Sequence, residues 1–186
     1  MATPSEREKM LAGELYLGND PELTAMRVRC RRLLRELESA DPGDVATRTA
    51  LVSRLLGSAG EGAYIEPPFR CDYGSNIFVG ARFYANFECV ILDCARVDIG
   101  DDVFFGPGVH VYAATHPIDA EQRIAGPEFA RPVRIGARVW IGGRAIVFPG
   151  VTIGEGTTIG AGSVVSRDVP AGVLAAGNPC RVVRKL

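Results

Sequence analysis

From Ile135 onward an aliphatic side chain falls on every sixth residue: Ile135, Ile141, Val147, Ile153, Ile159 and Val165. Glycine directly follows several of them, as Gly136, Gly142, Gly154 and Gly160. A second row stands two residues before the first: Val133, Val139, Ala145, Val151, Thr157, Ser163 and Val169. A helix repeats at about 3.6 residues and a simple strand at about 2, so neither produces a period of six. A coil with three short flat faces does. Each hexad supplies one face and its corner, and glycine relieves the tight turn. Stacked coils bury an aliphatic column that no single repeat buries alone. The period therefore predicts a mainly β chain wound as a parallel β-helix.

The same frame runs upstream through Ile99-Gly100, Phe105-Gly106 and Val111, with Val97, Val103 and Val109 as the second row. Above Val97 the phase shifts: Val79-Gly80, Ala85 and Ile91 keep a six-residue step that joins the second row. One interruption lies between Val111 and Val133, where YAATHPIDAEQRIAGPEFARP carries little of the pattern. The frame resumes at Ile135, four hexads after Val111. Residues 112–132 thus hold an excursion loop, and long loops on rigid scaffolds tend to carry function.

Of the 22 glycines, only Gly13, Gly18 and Gly43 precede Gly57. The chain divides there into a helical segment, residues 1–57, and the coil, residues 58–186. Ser5 and Glu8 form a capping box that opens a helix through Glu6–Leu15. Asp20-Pro21 repeats the start signal. Leu23, Met26, Cys30, Leu33, Leu34 and Leu37 then mark one apolar helical face. Asp41-Pro42 starts a third helix, with Gly57 placed to end it. Arg27, Arg29, Arg31, Arg32 and Arg35 line the polar side of the second helix, either as a solvated face or with one arginine reaching a ligand.

The formal net charge is −1, which indicates no general attraction to nucleic acid or to an anionic membrane. The apolar runs are far short of a membrane span, and MATPSEREKM has no apolar signal region. A cytoplasmic location is the expectation. Five cysteines, an odd number with no C-x-x-C pair, suggest small buried side chains rather than a disulfide framework or a zinc site. No Walker loop, G-x-S-x-G or H-E-x-x-H occurs. The only histidines are His110 and His116, too few for a three-imidazole metal site, so no metal is expected.

His110 alternates with Val109 and Val111 and should face outward. His116 sits in A-T-H-P, where Pro117 steers it away from helix. Its place in the excursion raises its prospects as a base, since histidine titrates near neutrality. Asn86 occupies a slot that often holds glycine. Its amide needs a partner, either a neighbouring backbone group or a substrate hydroxyl.

Several motifs together are family-specific. F-Y-A-N-F at 83–87, A-T-H-P at 114–117, V-W-I-G-G at 139–143 and G-N-P-C-R-V-V at 177–183 resemble the maltose and galactoside O-acetyltransferases. E-K-M-L-A-G-E-L-Y and A-Y-I-E-P-P-F-R-C-D-Y-G are similar to the maltose branch especially. The resemblance implies a left-handed β-helix, an exception to the usual crossover hand. It implies a homotrimer with active sites between subunits, acetyl-CoA as donor, no metal and direct transfer to a sugar hydroxyl. By motif, His116 is then the general base, and Tyr84 and Asn86 lie against the acceptor. Asp72, Asp93 and Arg27 fall at acceptor positions. The galactoside branch has an aspartate where this chain has Gly18, which leaves Asp20 as the nearest acid. Gly143 matches the amide facing the thioester oxygen. Ala161, Ser166, Arg167, Arg181 and Arg184 match positions along coenzyme A, whose phosphates pair well with guanidinium groups. Glu128 is shared with the maltose branch and not with the galactoside branch; its expected role is to hold His116 in the useful tautomer.

The leading expectation is acetyl transfer to maltose, glucose or a related sugar. The same chemistry on a galactoside, an amine or an antibiotic is the second reading, and a catalytically silent scaffold the third. A nucleotidyltransferase would need a larger nucleotide-binding domain than residues 1–57 can form.

Overall fold

A computed structural model describes residues 3–186. Helix α1 spans Glu6–Ala12, α2 spans Pro21–Ser39 and α3 spans Val45–Leu55. The Ser5–Glu8 capping box forms in both directions. α1 stops short of Leu15 because Gly13 turns left-handed, at φ 75°, and its N–H closes back onto Lys9 and Met10 carbonyls. In α2 the expected apolar face is buried, through Leu23, Cys30, Leu33, Leu34 and Leu37. α3 starts later than the proline suggested. Asp41 accepts the Gly43 N–H and holds a turn, and Asp44 is the cap, accepting from Thr47. Gly57 does not end α3; Leu56 caps it in extended conformation. Buried Arg48 ties α3 to the coil, donating to the Ile65 carbonyl and Glu66 and lying 5.0 Å from the Tyr64 ring centroid.

From Ser58 the chain winds into coils of short parallel strands that build three faces. The first face stacks 58–59, 77–79, 97–99, 133–135 and 152–153. The second stacks 64–65, 84–85, 104–105, 140–141, 158–159 and 173–176, closed by the antiparallel strand 181–185. The third stacks 70–71, 90–92, 110–112, 146–147 and 164–165. Both aliphatic rows point inward, so Val139 and Ile141, or Val151 and Ile153, are buried together. The polar members are satisfied inside: Thr157 donates to the Pro170 carbonyl and Ser163 to that of Gly160. The glycine after the aliphatic residue serves close approach rather than turn conformation. A Cβ on Gly142 would stand 2.5 Å from the Ala161 nitrogen of the next coil. The left-handed corner position lies two residues further on, and Arg138 and Arg144 adopt it as well as Gly156 and Gly162.

The phase shift has a structural cause. Later coils pair at a spacing of 18 residues, as in Trp140↔Thr158 and Ile146↔Val164. Earlier coils pair at 20, as in Tyr64↔Tyr84 and Val90↔His110. The two extra residues enter at one corner, between the third face and the first, around 72–76 and 93–96. The excursion leaves from the same corner, after Tyr112. It runs out as Ala114–Thr115, turns through a short helix, Ala120–Ile124, and returns as Pro127–Ala130. The returning strand pairs antiparallel with both Ala114–Thr115 and Tyr16–Leu17. The N-terminal segment therefore clamps the excursion onto the coil. Among the described residues no helix is long and apolar enough to cross a membrane.

Candidate active site

The three irregular corners, stacked above one another, border a cavity. It encloses about 460 Å³. Asp72 and Tyr73 come from the first corner, Leu92 and Cys94 from the second, and Ala114, His116 and Glu128 from the excursion. Gly18, Asn19 and Arg27 close it from the helical segment. His116 is exposed at its mouth, directly after the outgoing strand. Arg27 is held in place by donating to the Tyr73 hydroxyl at 2.9 Å, the Gly18 carbonyl at 2.6 Å and Thr24 at 3.1 Å. Burial pushes the Asp72 carboxyl up, against the opposing pull of the Cys94 thiol and of Arg27 and Arg31.

Three of the residues singled out in the sequence have other surroundings than their expected roles suggest. Asp93 is not part of the lining of this cavity. It is fully buried, and its Oδ1 accepts the N–H groups of Asp72 and Tyr73 at 3.0 and 2.9 Å. Its Oδ2 accepts the Asn76 N–H at 3.2 Å. Burial pushes its pKa up to about 6, with those donors holding it down. Asp93 thus shapes the corner that presents Asp72. Asp93→Asn leaves one acceptor oxygen for three donors, and an unsatisfied buried group costs about 1–3 kcal/mol. The variant is expected to unfold at lower urea and to show a raised acceptor KM with an unchanged KM for acetyl-CoA. Secondly, Asp20 caps α2, its Oδ1 accepting the Glu22 and Leu23 N–H groups. Thirdly, no hydrogen bond joins Glu128 to His116 among the described residues; the one histidine contact is His110 Nδ1, half-buried and 2.6 Å from the Tyr112 hydroxyl.

Cys94 is one of the cavity residues that the sequence did not single out, with Asn19, Tyr73 and Leu92. Its thiol donates to Asp72 Oδ2 at 3.5 Å, and burial pushes its pKa up. No period along the chain marks it, because it lies in the irregular corner between the strands 90–92 and 97–99.

Tyr84 and Asn86 lie elsewhere, on the second face. They line a cavity of about 490 Å³ with Phe104, Phe105, Gly106 and Trp140. Asn86 Oδ1 accepts the Phe87 N–H at 2.8 Å, which leaves its amide donors free. Tyr84 stacks on Tyr64, with centroids 6.2 Å apart. Trp140, from V-W-I-G-G, is over half exposed at 55%. This cavity shares no residue with that of His116.

Gly143 stands at the next corner, and its N–H makes no backbone hydrogen bond among the described residues. Ala161 lies one coil below, with its nitrogen close to Gly142. Arg167 and Arg181 flank one cavity of about 150 Å³. Ser166 is exposed beside Arg167, and Arg184 is exposed on the last strand, which pairs with 173–176 rather than fraying. Among the described residues no group of three or more His, Cys, Asp or Glu side chains forms a metal cluster.

Comparison with known proteins places the sequence and the fold among hexapeptide-repeat acetyltransferases. Residues 9–60 match the family model described as the maltose acetyltransferase hexapeptide capping motif, and residues 132–167 the bacterial transferase hexapeptide (six repeats). Nodulation protein L of Rhizobium meliloti is 54% identical over 181 residues, covering 97% of this chain and 98% of the relative. The crystal structure of a maltose O-acetyltransferase from Clostridium difficile 630 is 45% identical, with a TM-score of 0.97, covering 100% of this chain and 99% of that one. A galactoside acetyltransferase in complex with coenzyme A is 40% identical, with a TM-score of 0.94, covering 98% of this chain and 92% of that one.

Proposed function

The chain belongs to the maltose and galactoside acetyltransferase family of hexapeptide-repeat proteins, and on that premise we propose that it transfers the acetyl group of acetyl-CoA to a hydroxyl of a sugar such as maltose or glucose. It is an acetyl-CoA-dependent acetyltransferase, like its relatives. The observation that carries the acceptor side is the cavity at the irregular corners. An exposed imidazole stands at its mouth, with Asp72, Arg27 and Glu128 on its walls. Such a mixed polar lining suits a ligand rich in hydroxyl groups, which both donate and accept.

In the proposed reaction His116 takes the proton of the acceptor hydroxyl as its oxygen attacks the thioester carbonyl. The Gly143 N–H stabilises the oxyanion that forms. The carbon–sulfur bond then breaks, coenzyme A leaves as the thiol after receiving the proton, and the sugar ester is released. Arg167, Arg181 and Arg184 pair with coenzyme A phosphates, and Ala161 and Ser166 lie along its arm. The reaction takes place in the cytoplasm.

A closed homotrimer completes the site. The second face of one chain, with Tyr84, Asn86 and Trp140, closes the His116 cavity of its neighbour. What supports this arrangement is that one chain keeps the two cavities apart and leaves Phe104 and Trp140 exposed at 48% and 55%.

The test is release of free thiol from acetyl-CoA with maltose, glucose, a galactoside and chloramphenicol as parallel acceptors, on protein whose mass in solution has been measured. Release with maltose or glucose well above the other two is the expected result. Release with chloramphenicol alone, or with no acceptor, refutes the sugar reading.

A further inference from the structure

Glu128 is placed with unusual care for a residue on an excursion. Its strand is the central one of three, paired with Tyr16–Leu17 on one side and Ala114–Thr115 on the other. That pairing holds its backbone while the side chain crosses to the helical segment. A Cβ built on Gly18 would overlap Glu128 Oε1. The carboxylate therefore sits in the space that a side chain at position 18 would fill. Among the described residues it enters no ion pair, and Arg27 on the same cavity wall already donates to Tyr73, Gly18 and Thr24. A half-buried carboxylate on a cavity wall, with no donor among the described residues, presents acceptor lone pairs to whatever enters.

We propose that Glu128 anchors the acceptor, accepting a hydrogen bond from a sugar hydroxyl other than the one acetylated, and that Gly18 lacks a side chain to leave the carboxylate its seat. This rests on the sugar acetyltransferase reading above. It gives Glu128 a specificity-determining role in place of orienting His116. A charge-assisted bond of this kind discriminates strongly between sugars that carry the hydroxyl in reach and those that do not.

Position 18 makes the proposal testable from outside the catalytic groups. Its backbone is not in the left-handed region, and the three nearest atoms a Cβ would meet all belong to the Glu128 side chain. Gly18→Ala is therefore tolerated by the backbone conformation, and its methyl group displaces the Glu128 carboxylate. Steady-state kinetics are measured for wild type, Glu128→Ala, Gly18→Ala and the double variant, with the best sugar acceptor. Each single variant is expected to raise the acceptor KM by about tenfold or more, with the KM for acetyl-CoA and the melting temperature unchanged. The double variant is expected to add nothing beyond the larger single effect, because both remove one interaction. An unchanged acceptor KM in either single variant overturns the proposal. So do losses that multiply in the double variant, or a shifted pH profile of kcat at constant KM, which is the signature of a tautomer role. If the wild type acetylates no sugar, the functional reading falls and the seat falls with it; if it acetylates sugar and Gly18→Ala keeps its KM, only the seat falls.

Discussion

His116→Ala is expected to lower acetyl transfer to the sugar by about 10²–10⁴-fold, the usual contribution of a positioned general base. Coenzyme A binding and thermal stability should stay at wild-type values, since His116 is exposed and packs into no core. The shared-site arrangement adds a sharper form of the test. His116→Ala and Asn86→Ala homotrimers, each weak alone, are mixed, dissociated and reassembled. If one chain supplies the histidine and its neighbour the asparagine, mixed trimers contain intact sites and regain activity. No recovery means that each site is built within one chain. An alanine variant within tenfold of wild type places the base elsewhere, and Asp72, whose carboxyl burial pushes up, is the next group to replace.

Phe105→Ala is expected to produce the largest loss of stability, about 3–5 kcal/mol. Phe105 is 1% exposed and sits in the inner column between Ala85 above and Ile141 below. Its ring meets Phe83 edge-on, with centroids 5.2 Å apart and planes at 89°. A stacked coil cannot collapse onto the void, because the backbone spacing of its neighbours is set by the parallel ladder on either side. For a chain of this length the melting temperature should fall by about 10 °C, read at fixed protein concentration. A drop of only a degree or two would mean that the column rearranges to fill the space. The loss should also reach Asn86 and Trp140, which share a cavity wall with Phe105.

The coil itself was legible because a six-residue period survives any substitution that keeps an aliphatic side chain. Even the departures from it were informative. The shift above Val97 marks coils of 20 residues, and the break after Val111 marks the excursion. What could not be read was that these irregularities fall at one corner, since that depends on which face each strand joins. The site residues divide the same way. His116, Asp72, Arg27 and Glu128 converge on one cavity, but Asp93 turns inward and Cys94 takes the wall. In a strand, alternation decides which residue faces out. In a corner no period applies, and the outcome depends on which backbone N–H groups need an acceptor. Asp93 meets three of them. Asp20 went the same way, drawn to the free N–H groups at the start of α2.

The sequence by itself determined the β-helix, the helical segment before it and the place where the chain leaves the coil. Those are properties of spacing along the chain, and spacing is local. The tertiary structure alone decided which carboxylates face the cavity, that Glu128 occupies the space beside Gly18, and that Tyr84 and Asn86 stand apart from His116 in one chain. Those outcomes depend on distances between coils and on the N-terminal strand that clamps the excursion, and residues brought together in that way carry no common period.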